Sequence, residues 1–411
     1  MLFRSILEDT LARTYGVILF QEQALQVLMK VAGFTGAEAE QARRAMTHKR
    51  SAELMAPILK RAREGMCQNK IDHESQNKIV HCIESFLGYA FPESHAYSFG
   101  HIAYASGYLK CHYLAAFLAG LLNAQPMGFY SPSVLIKDAQ RHGLQVKPID
   151  VTRSEWDCTL EKEKEDIVLR LGFRYVRKMR EETAKGIVAA RQIAMFSGIP
   201  DLTRRVRELR RDELQNLAAC GALNPLDHKN QLHRRDALWQ VAKYGQPVGP
   251  LFNDIPDYDP TSILLRMDDI ERLIADHHIS GFTIGPHPLA YRREDLKQMN
   301  LSTLRHAKTR KPGDPVQTAG EVTVKQRPGT AKGIVFLTLH DETDFCDVVV
   351  KPAVYEQYRA LVNKCKFLRV HGKVQKVENA KERGAYVVSI NATQLFALDF
   401  PKIETRPRHF H

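Results

Sequence analysis

Long apolar runs, paired cysteines and dense acidic clusters are all scarce in this chain of 411 residues. Each absence removes a class of function. No stretch reaches the roughly 20 consecutive apolar residues that a bilayer-spanning helix requires; the best candidate, around Leu114 to Leu122, is short and interrupted by Gly120. The first residues, Met1-Leu2-Phe3-Arg4-Ser5, run at once into Glu8 and Asp9, without the charged, apolar and small-residue order of a signal peptide. The expectation is a cytoplasmic protein with no membrane partner. Seven cysteines, at positions 67, 82, 111, 158, 220, 346 and 365, include no Cys-x-x-Cys pair, which argues against a zinc ribbon or a disulfide framework and for reduced, mostly buried thiols. Two-metal catalysis needs clustered carboxylates. The densest groups are Asp254, Asp257 and Asp259 in a proline-rich stretch, Asp268-Asp269, and Asp341, Glu342, Asp344 and Asp347 around a strand turn. The first group reads as linker solvation, and no catalytic residue and no metal ligand is assigned.

What the chain does have is basic charge. Lys and Arg number 59 against 47 Asp and Glu, a formal net charge of +12, which biases it toward polyanions through a field that salt weakens. Charge alone does not choose between nucleic acid and an anionic membrane surface. The length suggests two to four domains.

Residues 1–125 read as helices: apolar positions such as Leu25, Leu28, Met29 and Ala32 recur at three- and four-residue spacing before a break at Gly33. A connector at 126–160, rich in proline and glycine, holds one helical piece at 132–141 with Ser131 as its cap. Helical patterning returns over 161–245 with a basic balance, and 246–320 reads as a linker region with short helices. Strands are expected at 321–327, 334–339, 347–350, 367–375 and 385–391, with a helix at 355–362. Five strands with a helix between the third and fourth give the order of an OB barrel over 321–398, a common single-strand nucleic-acid platform, before a tail at 399–411.

Several motifs go further. Phe91-Pro92-Glu93-Ser94-His95-Ala96 precedes a long run ending at Gln125-Pro126-Met127-Gly128-Phe129-Tyr130. Upstream stand Tyr15-Gly16 with Gln21-Glu22-Gln23, and Arg43-Arg44-Ala45-Met46; Leu109-Lys110-Cys111-His112 follows. In this order the motifs resemble the fingers of the bacterial DNA polymerase III alpha-subunit family, in its error-prone, damage-tolerant branch. The segments 171–191 and 201–223, closed by Arg234-Arg235-Asp236-Ala237-Leu238-Trp239, resemble the family's helix-hairpin-helix region, and 327–343 its OB domain. The resemblance covers nearly the whole chain but only the carboxy-terminal part of the family, since nothing here matches its palm.

The fold class implied is multidomain α+β: a helical fingers-like region over 1–125, a basic helix-hairpin-helix region and a five-stranded OB-fold barrel. The resemblance implies that Arg43, Arg44, Ser94, His95 and Lys110 face the incoming nucleotide or the template, because cationic groups oppose the charge that grows on a triphosphate during transfer. It assigns DNA contacts to Arg177, Lys178 and Lys185 in the hairpin region and to Arg327, Lys332, Phe336, Lys351 and Lys373 in the barrel, with Tyr386 as a second stacking face. The hairpin reads Val176-Arg177-Lys178-Met179, with lysine where the family has glycine, and a residue bearing a Cβ avoids positive φ; the expectation is a blunted amide cradle.

Single-stranded or primer-template DNA is the partner implied, together with a separate palm-bearing chain or damage-tolerance accessory proteins. No cofactor is expected in this chain, and Mg2+ only with a palm-bearing partner. An active error-prone polymerase and a non-functional gene remnant are the competing readings.

Overall fold

The computed structural model describes residues 2–47, 51–86, 91–128, 130–227, 232–244, 264–378, 386–400 and 408–410. Contacts divide the chain into two units, 1–112 and 113–411.

The first unit is helical: α1 (Leu2–Leu11), a 3-10 turn at Ala12–Thr14, α2 (Gln21–Ala32), α3 (Gly36–Thr47), α4 (Ser51–Gln68), α5 (His73–Glu84) and α6 (Glu93–His112). Helix α2 buries Ala24, Val27, Leu28 and Val31 against Met46, Met55, Met66 and Ile83. The buried stripe is thus displaced from the expected one, and Met29 is exposed. Gly33 ends the helix at φ 64 and its amide reaches Leu28 O, a left-handed cap that glycine adopts without strain. Helix α6 buries none of its side chains.

The second unit begins with α7 (Leu114–Asn123) and α8 (Pro132–Arg141), the latter capped by Ser131 with proline in its first turn. A small sheet follows, ordered β1 (Val146–Lys147), β3 (Asp166–Arg170), β2 (Thr159–Glu163). The start of the segment expected to be helical is therefore a hairpin. Ile167-Val168-Leu169 favours an extended chain, Lys164 turns it at φ 55, and Arg170 clasps Glu161 across the strands with two bonds of 2.8 Å.

Helices α9 (Glu181–Ile193), α10 (Ile199–Arg205), α11 (Arg211–Ala219) and α12 (Arg234–Tyr244) carry the hairpin region. They are followed by α13 (Asp269–Ser280), a 3-10 turn at Pro288–Arg292, α14 (Arg293–Gln298) and α15 (Leu304–Thr309). The barrel consists of β4 (Pro315–Gln326), β5 (Val335–His340), β6 (Phe345–Val350), α16 (Pro352–Lys364), β7 (Phe367–Glu378) and β8 (Tyr386–Ala397). A short β9 (Arg408–Phe410) runs parallel to β4. The order β5-β6-β8-β7-β4 closes on itself through β4 and β5, giving the five-stranded barrel with a helix after the third strand.

Residues 315–320, expected in a linker, belong to β4. Pro315 stands at the strand's first position, where no ladder donor is required. A Cβ on Gly320 would lie 2.6 Å from Leu339 Cβ, so this glycine answers a close approach of two strands. Of the cysteines, Cys158, Cys220 and Cys346 are buried while Cys67, Cys82 and Cys111 are exposed; all seven are free thiols. The expectation of mostly buried thiols fails because helices of the first unit turn those three positions outward.

One buried charge cluster ties the pieces before the barrel to the barrel itself. Glu321 of β4 lies 3.2 Å from Lys366 Nζ and 3.3 Å from His287 Nε2, and all three are largely buried, with His277 of α13 close by. Burial alone would raise the Glu321 pKa, but Lys366 and His287 outweigh it and hold the carboxyl well below its usual range.

Burial depresses His277 and His340 to about 4 each, aided by the positive charge of Lys366 and Arg141 respectively. Both therefore remain neutral in the folded chain at pH values where the unfolded chain takes up protons near 6.5. Their contribution to stability is complete above about pH 6.5 and is lost as pH falls toward 4. Urea denaturation at pH 7 and pH 5 is expected to show a loss of roughly 2 kcal/mol per histidine. The His277→Gln/His340→Gln double variant should flatten that profile, and an unchanged slope in the variant would exclude these groups as its source.

Candidate nucleic-acid interface

In the first unit, two motifs distant in sequence are joined by backbone. Gln21 N donates to Phe91 O at 3.1 Å, Glu93 N donates to Glu22 Oε2 at 2.9 Å, and Arg13 pairs with Glu93 at 2.6 Å. Gln23, buried, accepts from Leu19 N and Phe20 N through Oε1 and donates from Nε2 to Thr10 O and Thr14 Oγ1. The Gln-Glu-Gln segment thus fixes both its own loop and the start of α6. His95, exposed, has its ring 4.3 Å from that of Phe99 and 5.3 Å from that of Phe91.

Ser94 and His95 stand on the first turn of α6 and Lys110 on its last, roughly 22 Å apart along the axis at 1.5 Å per residue. They do not meet at one phosphate. Arg43 and Arg44, on α3, both hydrogen-bond Glu40, the former through two contacts of 2.8 Å; those bonds lower the Glu40 carboxyl to about 2. Arg44 also lines an open cleft of about 490 Å3 with Phe34, Leu54, Pro57, Ile58 and Arg61.

The hairpin region is organised by Glu213 of α11. Its carboxylate, almost fully buried, accepts from the amides of Arg180 and Arg210 at 3.0 and 2.9 Å, and from Arg180 Nε and Nη2 at 3.0 and 2.9 Å. It thereby caps α11, holds the entry to α9 and joins the two hairpin units. Lys178 adopts φ 62. The left-handed turn is present with lysine in glycine's place, because Asn216 Nδ2 grips Arg177 O at 2.7 Å and the Arg177 amide reaches Ile279 O at 3.0 Å. The Cβ argument for a blunted turn is corrected to that extent: the shape persists and carries strain. Arg177 and Lys178 are exposed; Lys178 has Asp212 at 3.8 Å, and Lys185 pairs with Glu181 at 2.7 Å.

The barrel presents a continuous outer row. Lys373 of β7 is opposite Asn391 of β8, Asn391 is opposite Val349 of β6, and Val349 is opposite Phe336 of β5. Residues paired across strands share a face, and three strand spacings put Lys373 and Phe336 roughly 14 Å apart. Lys332, at φ 48, and Gly333, at φ 82, turn the loop between β4 and β5, with Lys332 exposed. Arg327, at the base of that loop, lies over the Tyr355 ring at 4.8 Å. Lys351 stands at the N-cap of α16 and Tyr386 begins β8, both exposed.

Comparison with known proteins matches this order of parts. Residues 2–70 match the family model for the bacterial DNA polymerase III alpha subunit finger domain, 143–236 that for a helix-hairpin-helix motif, and 316–398 that for an OB-fold nucleic acid binding domain. Across 95% of its length the chain is 40% identical to Error-prone DNA polymerase 2 of Agrobacterium fabrum, and across 98% it is 39% identical to Error-prone DNA polymerase of Anaeromyxobacter dehalogenans. The chain carries the finger, helix-hairpin-helix and OB-fold domains of the bacterial DNA polymerase III alpha subunit. It spans about a third of the length of these relatives, 36% and 35% respectively.

Within this family frame, the acidic groups singled out from sequence have structural employment. Asp341 is buried and accepts from Leu304 N, Thr343 N and Asp344 N, which shapes the β5–β6 turn. Glu342 clasps Arg293, and Asp268 caps α13 through Glu271 N at 2.8 Å. Asp254, Asp257 and Asp259 lie outside the described residues. Among the described residues, no group of three or more His, Cys, Asp or Glu is placed to hold a metal ion, and no helix is long and apolar enough to cross a membrane.

Sequence reading missed Glu213, whose partners lie 33 residues upstream as well as on its own first turn; the one local signal was a glutamate three residues after the helix start. Lys178→Gly tests the strained turn. Relief of the left-handed penalty, about 1–2 kcal/mol, is offset by about 0.4–1 kcal/mol of unfolded-chain entropy. Chemical denaturation is expected to show a gain of about 0.5–1 kcal/mol, and a loss would mean that the Lys178 side chain outweighs the strain.

Proposed function

We propose that the chain is the DNA-engaging portion of an error-prone polymerase, holding single-stranded or primer-template DNA on its barrel and hairpin region and presenting fingers motifs to the incoming nucleotide during damage-tolerant synthesis. Transfer chemistry, with its Mg2+ ions, is assigned to a palm-bearing partner chain. The observation that carries the reading is the joint presence, in family order, of the fingers, hairpin and OB modules over nearly the whole chain at about 40% identity to error-prone polymerases. Physical support comes from the barrel. Phe336 supplies a stacking face, and Lys332, Lys351 and Lys373 add charge along the outer surface, the combination that sequence-tolerant single-strand binding uses.

Binding to a 20-nucleotide single strand, measured against salt, is the direct test. Lys332→Glu is expected to weaken it and to reduce the magnitude of the logarithmic salt slope by about one, as loss of one phosphate contact requires. An unchanged slope in the folded variant would remove Lys332 from the track, and no salt-sensitive DNA binding by the parent chain would sink the reading. In primer extension with Mg2+, the chain alone is expected to be inert and a palm-bearing chain to restore synthesis. Extension by the single chain would replace this reading with that of a self-sufficient polymerase.

A further inference from the structure

A cavity of about 240 Å3 in the second unit is lined by Asn224, Leu232, His233, Arg234, Arg266, Met267 and Arg272. Three guanidinium groups reach it from two separate parts of the chain. Arg234 opens α12 and is anchored by Asp276 at 2.8 Å; Arg272 on α13 is anchored by Asp269 at 3.3 Å and by Met267 O. The anchors fix these two side chains. Arg266 is exposed, and among the described residues no carboxylate pairs with it or lines the cavity.

Two acceptor atoms of lining residues, His233 Nδ1 and Asn224 Oδ1, are buried without a partner and expose no surface to the cavity, so the donors that face it are the guanidinium groups. The opposite nitrogen of His233 is held 2.8 Å from Asp236, which fixes the ring. The hairpin itself meets the cavity wall: Gly221 stands at φ 84, and a Cβ there would lie 2.9 Å from Arg234 Nε.

The chemistry selects an anion with several acceptor oxygens, because fork-shaped guanidinium donors match phosphate oxygens. Size restricts it further. The cavity is smaller than the about 300–1,000 Å3 of sites that enclose a whole small ligand, so it takes a terminal group of something larger. A phosphodiester within a strand must continue in two directions and needs a track; a terminal phosphomonoester continues in one and carries close to two negative charges at neutral pH.

Resting on the DNA-binding reading above, we propose that this cavity receives the terminal phosphate of a DNA strand, so that the hairpin region grips a strand end while the barrel holds single-stranded DNA. The ends of gaps and nicks are the substrates of that chemistry.

Calorimetry at low salt on the full chain tests it with three trinucleotides: unphosphorylated, 5′-phosphorylated and 3′-phosphorylated. At least tenfold tighter binding of a phosphorylated form is expected, and the preferred arm identifies the strand end. Arg266→Ala, at an exposed position, should abolish the difference, with partial retention in Arg266→Lys. Equal binding of all three, or a preference that survives Arg266→Ala, overturns the proposal. A 20-nucleotide unphosphorylated strand run in parallel separates the two readings. If it binds while the trinucleotides are not discriminated, only the cavity proposal falls; if it fails to bind while a phosphorylated trinucleotide is still preferred, the extended-strand reading falls and the cavity stands.

Discussion

A buried carboxylate decides how the second unit holds together. Glu321 sits within the buried stretch of β4, and removing it from water is expensive unless opposite charge is close. Lys366, just before β7, and His287, ahead of the 3-10 turn, meet that need. The helical segment between hairpin region and barrel is therefore bound to the barrel by a charge that has no other solvent. Around it, Leu289, Leu296, Leu301, Ala319 and Phe367 close an apolar layer that keeps water out and the interaction strong. The same segment is also tied to β4 by backbone, Ser302 N donating to Gln317 O at 2.8 Å, and Leu304 and Ala307 pack into the barrel core.

The basic excess is distributed unevenly, and the distribution bears on function more than the total does. In the hairpin region most cations already have partners: Arg180 with Glu213, Lys185 with Glu181, and Arg204 and Arg205 with Asp201. On the barrel, among the described residues, no carboxylate pairs with Lys332, Lys351 or Lys373. Exposed ion pairs are worth little and can be exchanged for a phosphate, but the exchange returns less than a free cation would. On the proposed reading, the hairpin region offers few, geometrically fixed contacts and the barrel a salt-sensitive hold on a strand.

Much of this was legible in the sequence where local chemistry governs. Ser131 and Pro132 marked the start of α8, Gly33 marked the end of α2, and the five strands of the barrel with their intervening helix followed from β-branched runs between turn residues. Reading failed where distant contacts override local pattern. The charged stretch after Cys158 pairs as a hairpin because Arg170 and Glu161 meet across it. Pro315 and Gly320 looked like linker residues, yet the strand accommodates one at its first position and needs the other for a close approach. The sequence motifs Gln21-Glu22-Gln23 and Phe91-Pro92-Glu93 were recognised separately; that they bond to each other is a property of the fold, since 71 residues separate Glu22 from Glu93.

Lys178 shows how a motif and its shape can part company. Its left-handed turn is enforced by neighbours, Asn216 on one side and Ile279 on the other, and glycine is no longer what makes the geometry possible. A search keyed to the glycine letters would pass over this turn, whereas a search keyed to backbone dihedrals and to the amide grip behind them would find it. Hairpins of this kind are better catalogued by what surrounds the bend than by the residue at its apex.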